Sequence, residues 1–450
     1  MADRTPDIAP GRLTAGEIEH NFADLHPPMS KSEALVAADR CYFCFAAPCT
    51  AACPTGIDIP RFIQSIRSGD IEGAAQTILA ENIMGGMCAR VCPTEVLCEE
   101  ACVRNLHEDK PVDIGLLQRH ATDPVLAAGT RLFERAAETG KRVAIVGGGP
   151  AALSCAHRLA CLGHSVTIYS RDGKLGGLNE YGIAAYKTVD DFAQLEVRYI
   201  LSIGGIDIRA GVAIGDGIAL GQLRRDHDAV FLAIGLAGVN CLGLDREDLP
   251  GVIDAVQYIA ELRQSSDKSK LPVGRRVVVI GGGMTAIDVA VQSRRLGAED
   301  VTIVYRRGRT QMGASRFEQD LAQRDGVRIR HWARPVRILG ETHVAGVEFE
   351  YTRDGAAGTL EGRGEFFTLP ADVVFKAIGQ ELVAGAANGA AMKLRMEGGR
   401  IAVDAECRTS VENIWAGGDC VAGGEDLTVV AVQDGKIAAL AIDRYLRAAR

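Results

Sequence analysis

Lys141-Arg142-Val143-Ala144-Ile145-Val146-Gly147-Gly148-Gly149-Pro150-Ala151-Ala152-Leu153 decides the architecture of this 450-residue chain. Lys141 to Val146, apolar from Val143 on, reads as a strand. The glycines turn the backbone sharply, and the stretch that follows, to Leu162, reads as a helix. Strand, G-x-G-x-x-A turn and helix together make a dinucleotide fingerprint. Its glycine backbone approaches a pyrophosphate whose charge rests on the helix N-terminus. Gly147, Gly149, Pro150, Ala151 and Ala152 are the candidate contacts. A second strand, Ser165 to Tyr169, is followed by Ser170 where an acidic residue usually holds a ribose hydroxyl, so the adenosine contact is expected to be weaker here.

Toward the C-terminus the fingerprint recurs. Arg276 to Ile280 is a strand, Gly281, Gly283, Met284 and Thr285 form the turn and helix start, and Val301 to Tyr305 is the next strand. It ends on Arg306 and Arg307, whose guanidiniums suit a 2′-phosphate, so NADPH is favoured over NADH; a solvated strand end is the plain alternative. The glycine pair Gly176-Gly177, followed by Leu178 soon after the second strand, is a feature of flavoproteins with two dinucleotide domains. The strands closing on Gly235 and Gly379 suit the crossings between a flavin and a nicotinamide domain. Asn413 to Cys420 feeds Gly418 and Asp419, with Asp419 expected to accept from a ribityl hydroxyl of FAD, or else to cap a helix. Thr428, Val429 and Val430 then open a helix whose N-terminal amides face the flavin ring and favour its reduced, anionic form.

Toward the N-terminus lie eight of the thirteen cysteines, Cys41 to Cys102. The chain opens without an apolar leader, so a reducing, cytoplasmic setting is expected. Clustered thiols are there metal ligands rather than disulfides. The first four are spaced Cys-x2-Cys-x4-Cys-x3-Cys-Pro, a ferredoxin-like run, and two [4Fe-4S] clusters need about eight ligands. Structural zinc and buried non-ligand cysteines are the alternatives. Helices are expected at 30–40, 58–66 and 73–79, with a helical connector over 126–138.

The net charge of −8 gives no reason to expect nucleic acid, and 5% aromatic content argues against base stacking. No apolar stretch reaches the roughly 18 residues of a membrane span. The expected fold class is an N-terminal α-helical domain with two [4Fe-4S] clusters followed by α/β structure: two Rossmann-like dinucleotide-binding domains, one inserted in the other. The expected boundaries are 1–135 for the helical domain, 136–258 with 380–450 for the FAD domain, and 259–379 for the NAD(P) domain.

Asn21-Phe22, the Ala47-Pro48-Cys49 and Cys53-Pro54-Thr55 run, Cys92-Pro93-Thr94, and Asp113-Ile114-Gly115-Leu116-Leu117-Gln118 carry a resemblance. The chain resembles the glutamate synthase small-subunit family over essentially its whole length. Within that family it looks most like the N-terminal half of dihydropyrimidine dehydrogenase and the separate bacterial subunit matching that half. The resemblance implies that Cys41, Cys44, Cys49 and Cys102 hold one cluster. Cys53, Cys92, Cys98 and Gln118 would hold the other, with Cys88 left out; Cys88 as ligand and Gln118 as a surface residue is the alternative. It further implies an oxidoreductase subunit that passes electrons from NAD(P)H through FAD and the clusters to an FMN-containing partner, which reduces uracil or thymine in pyrimidine degradation. No side-chain catalyst is expected. The rivals are a glutamate synthase small subunit, a ferredoxin:NADP oxidoreductase, and a non-catalytic assembly or redox-sensing protein. Cys155, Cys161, Cys241, Cys407 and Cys420 read as small core residues.

Overall fold

A computed structural model describes residues 8–215, 217–383 and 394–448. Strand Arg142–Val146 lies at the centre of five parallel strands, in the order Ile414–Ala416, Ala229–Leu232, Arg142–Val146, Ser165–Ser170, Ile206–Ala210. A second five-stranded parallel sheet repeats the plan, in the order Arg328–His331, Asp300–Tyr305, Arg276–Gly281, Val373–Ala377, Val252–Asp254. In both, the fingerprint strand is central and is buried on both faces, which is why it reads as an unbroken apolar run.

The two glycine turns solve one steric problem in the same way. Gly147 has φ 114°, and a Cβ there would lie 2.0 Å from the Ala233 carbonyl oxygen; Gly281 has φ 147°, and its Cβ would lie 2.1 Å from the Ala377 carbonyl oxygen. Each chain leaves its strand pressed against the neighbouring strand end, a path open only to glycine. Helices Pro150–Cys161 and Met284–Arg295 start directly afterwards, with Gly149 and Gly283 at their N-caps.

The chain divides into two compact units. Of the described residues, the first holds 26–180, 190–215, 217–238, 381–383 and 394–448; the second holds 8–25, 181–189 and 239–380. This differs from the boundaries expected from sequence in two ways. Residues 8–25 join the second unit: Ile8–Ala9 pairs with Val273–Gly274, Ile18 and Phe22 enter its core, and Asn21 exchanges hydrogen bonds with the Arg295 carbonyl and guanidinium. The cysteine-bearing helices and the first sheet form one unit rather than two domains.

The connector between them, expected to be helical over 126–138, is helical only as far as Ala128. Helix Ile114–Ala128 stops at Gly129, φ 63°, where Gly129 and Thr130 N–H donate back to the Leu126 and Val125 carbonyls. Residues 130–141 then run without helix, and Ala136 and Thr139 N–H donate to the Cys161 and Gly163 carbonyls. The expected helices near Ser30, Asp58 and Gly73 are present as Lys31–Asp39, Ile59–Ser68 and Ile71–Glu81, capped by Ser30, Asp58 and Asp70.

In the second unit, Lys187 Nζ lies 2.7 Å from Asp288 Oδ1 and 2.8 Å from Glu318 Oε1, with all three side chains buried. Among the described residues no helix is long and apolar enough to cross a membrane.

Candidate functional site

The thiols assemble into two groups within the first unit. Helix Lys31–Asp39 leads into Cys41, whose N–H still donates to the Ala38 carbonyl. Cys49 sits on the short helix Pro48–Ala52, begun by Pro48. Cys41, Cys44, Cys49 and Cys102 line one pocket, together with Tyr42 and Arg104. Arg104 spans the site: its guanidinium stacks 3.9 Å from the Tyr42 ring centre, donates to the Arg40 carbonyl and pairs with Glu108. Arg40 in turn reaches Glu108 and the Lys110 and Pro111 carbonyls, so the 102–111 loop is bound to the 40–44 turn. Burial pushes the Cys49 thiol up to about 11 and raises Cys41, whose sulfur accepts the Phe43 N–H. Such thiols are not nucleophiles at neutral pH; they ionise when a cation compensates the charge.

Cys53, Cys92 and Cys98 form the second group, with Cys53 near enough to help raise the Cys92 and Cys98 thiols. For Cys92 the largest cause is a hydrogen bond with Cys88, and for Cys98 it is burial. Gln118 is buried on helix Ile114–Ala128, and its Nε2 donates 2.6 Å to the Gly85 carbonyl, at the start of the helix Gly85–Val91 that carries Cys88 and ends at Cys92. Both candidates for the eighth ligand therefore abut the Cys92 helix. All thirteen cysteines are free thiols. Among the described residues no three His, Cys, Asp or Glu side chains close on a point as tightly as a single metal ion would need. Four soft donors facing one pocket fit the chemistry of an iron–sulfur cluster.

The N-terminus of the Cys92 helix is held by a residue far away in sequence. Buried Glu196 Oε1 accepts from Gly86 N–H (2.8 Å) and Met87 N–H (3.1 Å), while its Oε2 has no partner among the described residues. Gly86 permits this approach, since a Cβ there would lie 2.6 Å from Phe192 and 2.9 Å from Glu196. Burial pushes the Glu196 carboxyl up to about 8, opposed by the Met87 N–H and by Arg90. A folded-state value above the unfolded one, about 4.3, means that its contribution to stability falls as pH rises from about 4.3 to about 8. Glu196→Gln keeps the acceptor and removes the charge. The variant should lose that decline and exceed the wild type in stability at pH 8, as urea titrations at pH 5 and pH 8 would show. An equal decline in both proteins would exonerate Glu196.

The flavin motifs converge in the same unit. Gly176 N–H donates to the Gly148 carbonyl at 2.7 Å, and a Cβ on Gly177 would lie 2.7 Å from Gly149 Cα. Ser170 is buried, with Oγ 2.9 Å from the position of a Cβ on Gly148, so its hydroxyl faces the glycine turn. Helix Thr428–Ala448 crosses Pro150–Cys161 so closely that a Cβ on Gly435 would lie 2.2 Å from the Ala151 carbonyl oxygen. Gly418, φ 75°, is 3.1 Å from Ala151 Cβ by the same measure. Burial pushes the Asp419 carboxyl up to about 6, with Asp426 adding to the rise and Arg400 opposing it. A half-desolvated acid beside the fingerprint fits a sugar-alcohol hydroxyl as hydrogen-bond partner. Leu178 is partly exposed beside this loop, Gly235 takes φ 58° just past strand Ala229–Leu232, and Val429 is buried in the first turn of the Thr428 helix. The first unit is bolted together across these parts: Lys436 Nζ donates to the Thr55 carbonyl and pairs with Glu81, and Arg158 donates to the Ala80 carbonyl.

In the second unit, a Cβ on Gly283 would meet nothing within 4 Å, leaving its backbone open to a close ligand. Met284 and Thr285 form the first turn of the helix beyond, and Gly379, φ 97°, follows strand Val373–Ala377. Arg306 and Arg307 lie just past strand Asp300–Tyr305 and differ in their engagements. Arg307 pairs with Asp354 at 3.1 Å and donates to the Gly358 carbonyl; Arg306 is exposed, with its backbone carbonyl accepting from Thr352.

Of the scattered cysteines, Cys155, Cys407 and Cys420 are buried as expected, Cys161 is half-buried and Cys241 is exposed. Sequence reasoning missed Arg104, although a base two residues after a ligand-spaced cysteine is a usable signal. It missed Glu196, for which no local signal exists.

Residues 141–435 match the family model of pyridine nucleotide-disulphide oxidoreductases, and residues 18–130 match that of dihydropyrimidine dehydrogenase domain II, 4Fe-4S cluster. The chain is 34% identical to the NAD-dependent dihydropyrimidine dehydrogenase subunit PreT of Escherichia coli, over 96% of this chain and 99% of that one. It is also 34% identical to the glutamate synthase [NADPH] small chain of Escherichia coli, over 94% of each. Among solved structures, Mycobacterium tuberculosis FprA in complex with NADPH aligns with a TM-score of 0.58 at 22% identity, covering 69% of this chain and 85% of that one.

Proposed function

This chain belongs to the pyridine nucleotide-disulphide oxidoreductase family and is an NAD(P)H-dependent flavin oxidoreductase with an N-terminal 4Fe-4S domain; from that premise we propose that it is the electron-input subunit of a two-component dihydropyrimidine dehydrogenase. FAD would accept hydride from NAD(P)H, and two [4Fe-4S] clusters would hand electrons singly to a partner's FMN, where uracil or thymine is reduced. The chain's own residues bind and orient. Gly147, Gly149 and Gly177 would admit the FAD pyrophosphate, Asp419 its ribityl chain, and the Thr428–Val430 amides its ring. Cys41, Cys44, Cys49 and Cys102 would hold one cluster, and Cys53, Cys92, Cys98 and Gln118 the other. The nicotinamide domain would be nested within the FAD domain in the cytoplasmic protein.

The observation carrying this reading is the joining of the four-thiol pocket and the flavin loops in one compact unit. Such a unit keeps two redox sites at fixed separation. The test is NAD(P)H oxidation by the complex with uracil, and separately with glutamine plus 2-oxoglutarate. Uracil-dependent oxidation by the complex, with only artificial acceptors reduced by the pure chain, is expected. Uracil reduction by the pure chain alone would sink the division of labour.

A second reading, a glutamate synthase small subunit, is favoured by the equal identity to that relative. It predicts oxidation only with glutamine and 2-oxoglutarate.

Arg306, rather than the engaged Arg307, would contact a 2′-phosphate. A charge-assisted hydrogen bond is worth about 1.5–3 kcal/mol, so Arg306→Gln should raise the KM for NADPH about tenfold or more. The KM for NADH should stay within about twofold, because that cofactor has no 2′-phosphate to lose. Steady-state kinetics with both nicotinamides checks this, and equal losses would remove Arg306 from the role.

A further inference from the structure

Where the flavin motifs meet lies a residue that none of them includes. Asn179 follows the Gly176-Gly177-Leu178 turn, on the short helix Leu178–Tyr181, and is wholly buried. Its Oδ1 accepts a hydrogen bond of 2.7 Å from Thr428 Oγ1, the hydroxyl on the first residue of helix Thr428–Ala448. Its Nδ2 has no hydrogen-bond partner among the described residues. A buried amide N–H left unpaired costs free energy that a folded chain rarely leaves uncompensated. The surroundings are those of the dinucleotide loop: Gly177, two residues earlier, presses on Gly149, and Gly176 donates to Gly148.

We propose that Asn179 is a hydrogen-bond donor to the ring system of bound FAD, with Thr428 as the positioning residue that turns the amide so that its NH2 group faces the cofactor. The proposal rests on FAD occupying this site. The Thr428 hydroxyl occupies the carbonyl end of Asn179, which leaves only the donor end to present. Flavin ring acceptors gain electron density on reduction, so a fixed donor binds reduced FAD more strongly than oxidised FAD. Asn179 thereby joins the N-terminal amides of the Thr428 helix in favouring the reduced form.

The experiment is a spectroelectrochemical titration of the FAD in the full chain, for wild type, Asn179→Leu, Asn179→Asp and Thr428→Val. Asn179→Leu should shift the oxidised–reduced equilibrium toward oxidised FAD about tenfold, equivalent to about 30 mV for a two-electron couple. Asn179→Asp, which presents a charged acceptor, should shift it further, and Thr428→Val in the same direction by less. In the FAD-free state Asn179→Leu should be as stable as wild type or more so, because the unpaired amide is gone. If Asn179→Leu fails to fold, Thr428→Val carries the test. Variants with wild-type potential and wild-type FAD affinity would overturn the proposal. A wild-type chain that takes up no FAD would instead overturn the cofactor assignment, and the proposal with it.

Discussion

Replacing Cys102 with serine is expected to cut electron delivery to any one-electron protein acceptor by at least about 100-fold, while NAD(P)H-dependent reduction of a small quinone stays within about twofold. Cys102 lies on a loop apart from Cys41, Cys44 and Cys49, yet the four share one pocket. A serine oxygen is a hard donor and a poor substitute for a soft thiolate. None of the nucleotide-binding glycine loops lines this pocket, so the two activities should separate. Iron and acid-labile sulfide, measured alongside, should fall by about half if two clusters are present. Unchanged iron content in the variant would mean that Cys102 is not a ligand.

Lys187→Met should destabilise the second unit by about 3–5 kcal/mol, the cost of stranding buried charges by removing their partner. Asp288 and Glu318 would then face each other with the ammonium gone. The triple variant with Asp288→Asn and Glu318→Gln should recover much of the loss, because it removes the charges together. Burial alone would lower the Lys187 ammonium, but the two carboxylates outweigh it and hold the group above its usual range. A cation raised in the folded state contributes stability that is full below its unfolded value, about 10.4, and lost as pH rises through the folded value. The wild type should therefore weaken at strongly alkaline pH in a way that Lys187→Met does not. Urea unfolding at pH 7 and above pH 10 measures both effects. A loss below about 1 kcal/mol at pH 7 would show that the triad is solvated rather than buried, since exposed pairs are worth that little.

The two sheets and their glycine turns were legible because a few local constraints specify them. A buried parallel strand needs an apolar run, and the chain leaving it at Gly147 or Gly281 needs a positive φ and no Cβ. The helix starts at Ser30 and Asp58 were legible for the same reason, since a capping side chain acts within three residues; the third helix, expected from Gly73, starts earlier because Asp70 caps it. The helical connector over 126–138 was misread because apolar spacing says nothing about Gly129 closing the helix in the left-handed region.

What the sequence by itself determined is thus the chemistry of the parts: thiols at ligand spacing, two glycine loops, an acid after Gly418, and arginines at a strand end. Each is a residue type at a short, fixed offset along the backbone. Only the tertiary structure decided which parts act together. It brought Cys102 to the pocket of Cys41, Cys44 and Cys49, and engaged Arg307 with Asp354 while leaving Arg306 exposed. It set Glu196 against the N-terminus of the helix that ends at Cys92, and left Asn179 with a buried donor beside the flavin loop. It also allotted residues 8–25 to the second unit through pairing with Val273–Gly274. The reason is physical: burial and hydrogen-bond satisfaction are settled between residues tens to hundreds of positions apart, and no local spacing records them.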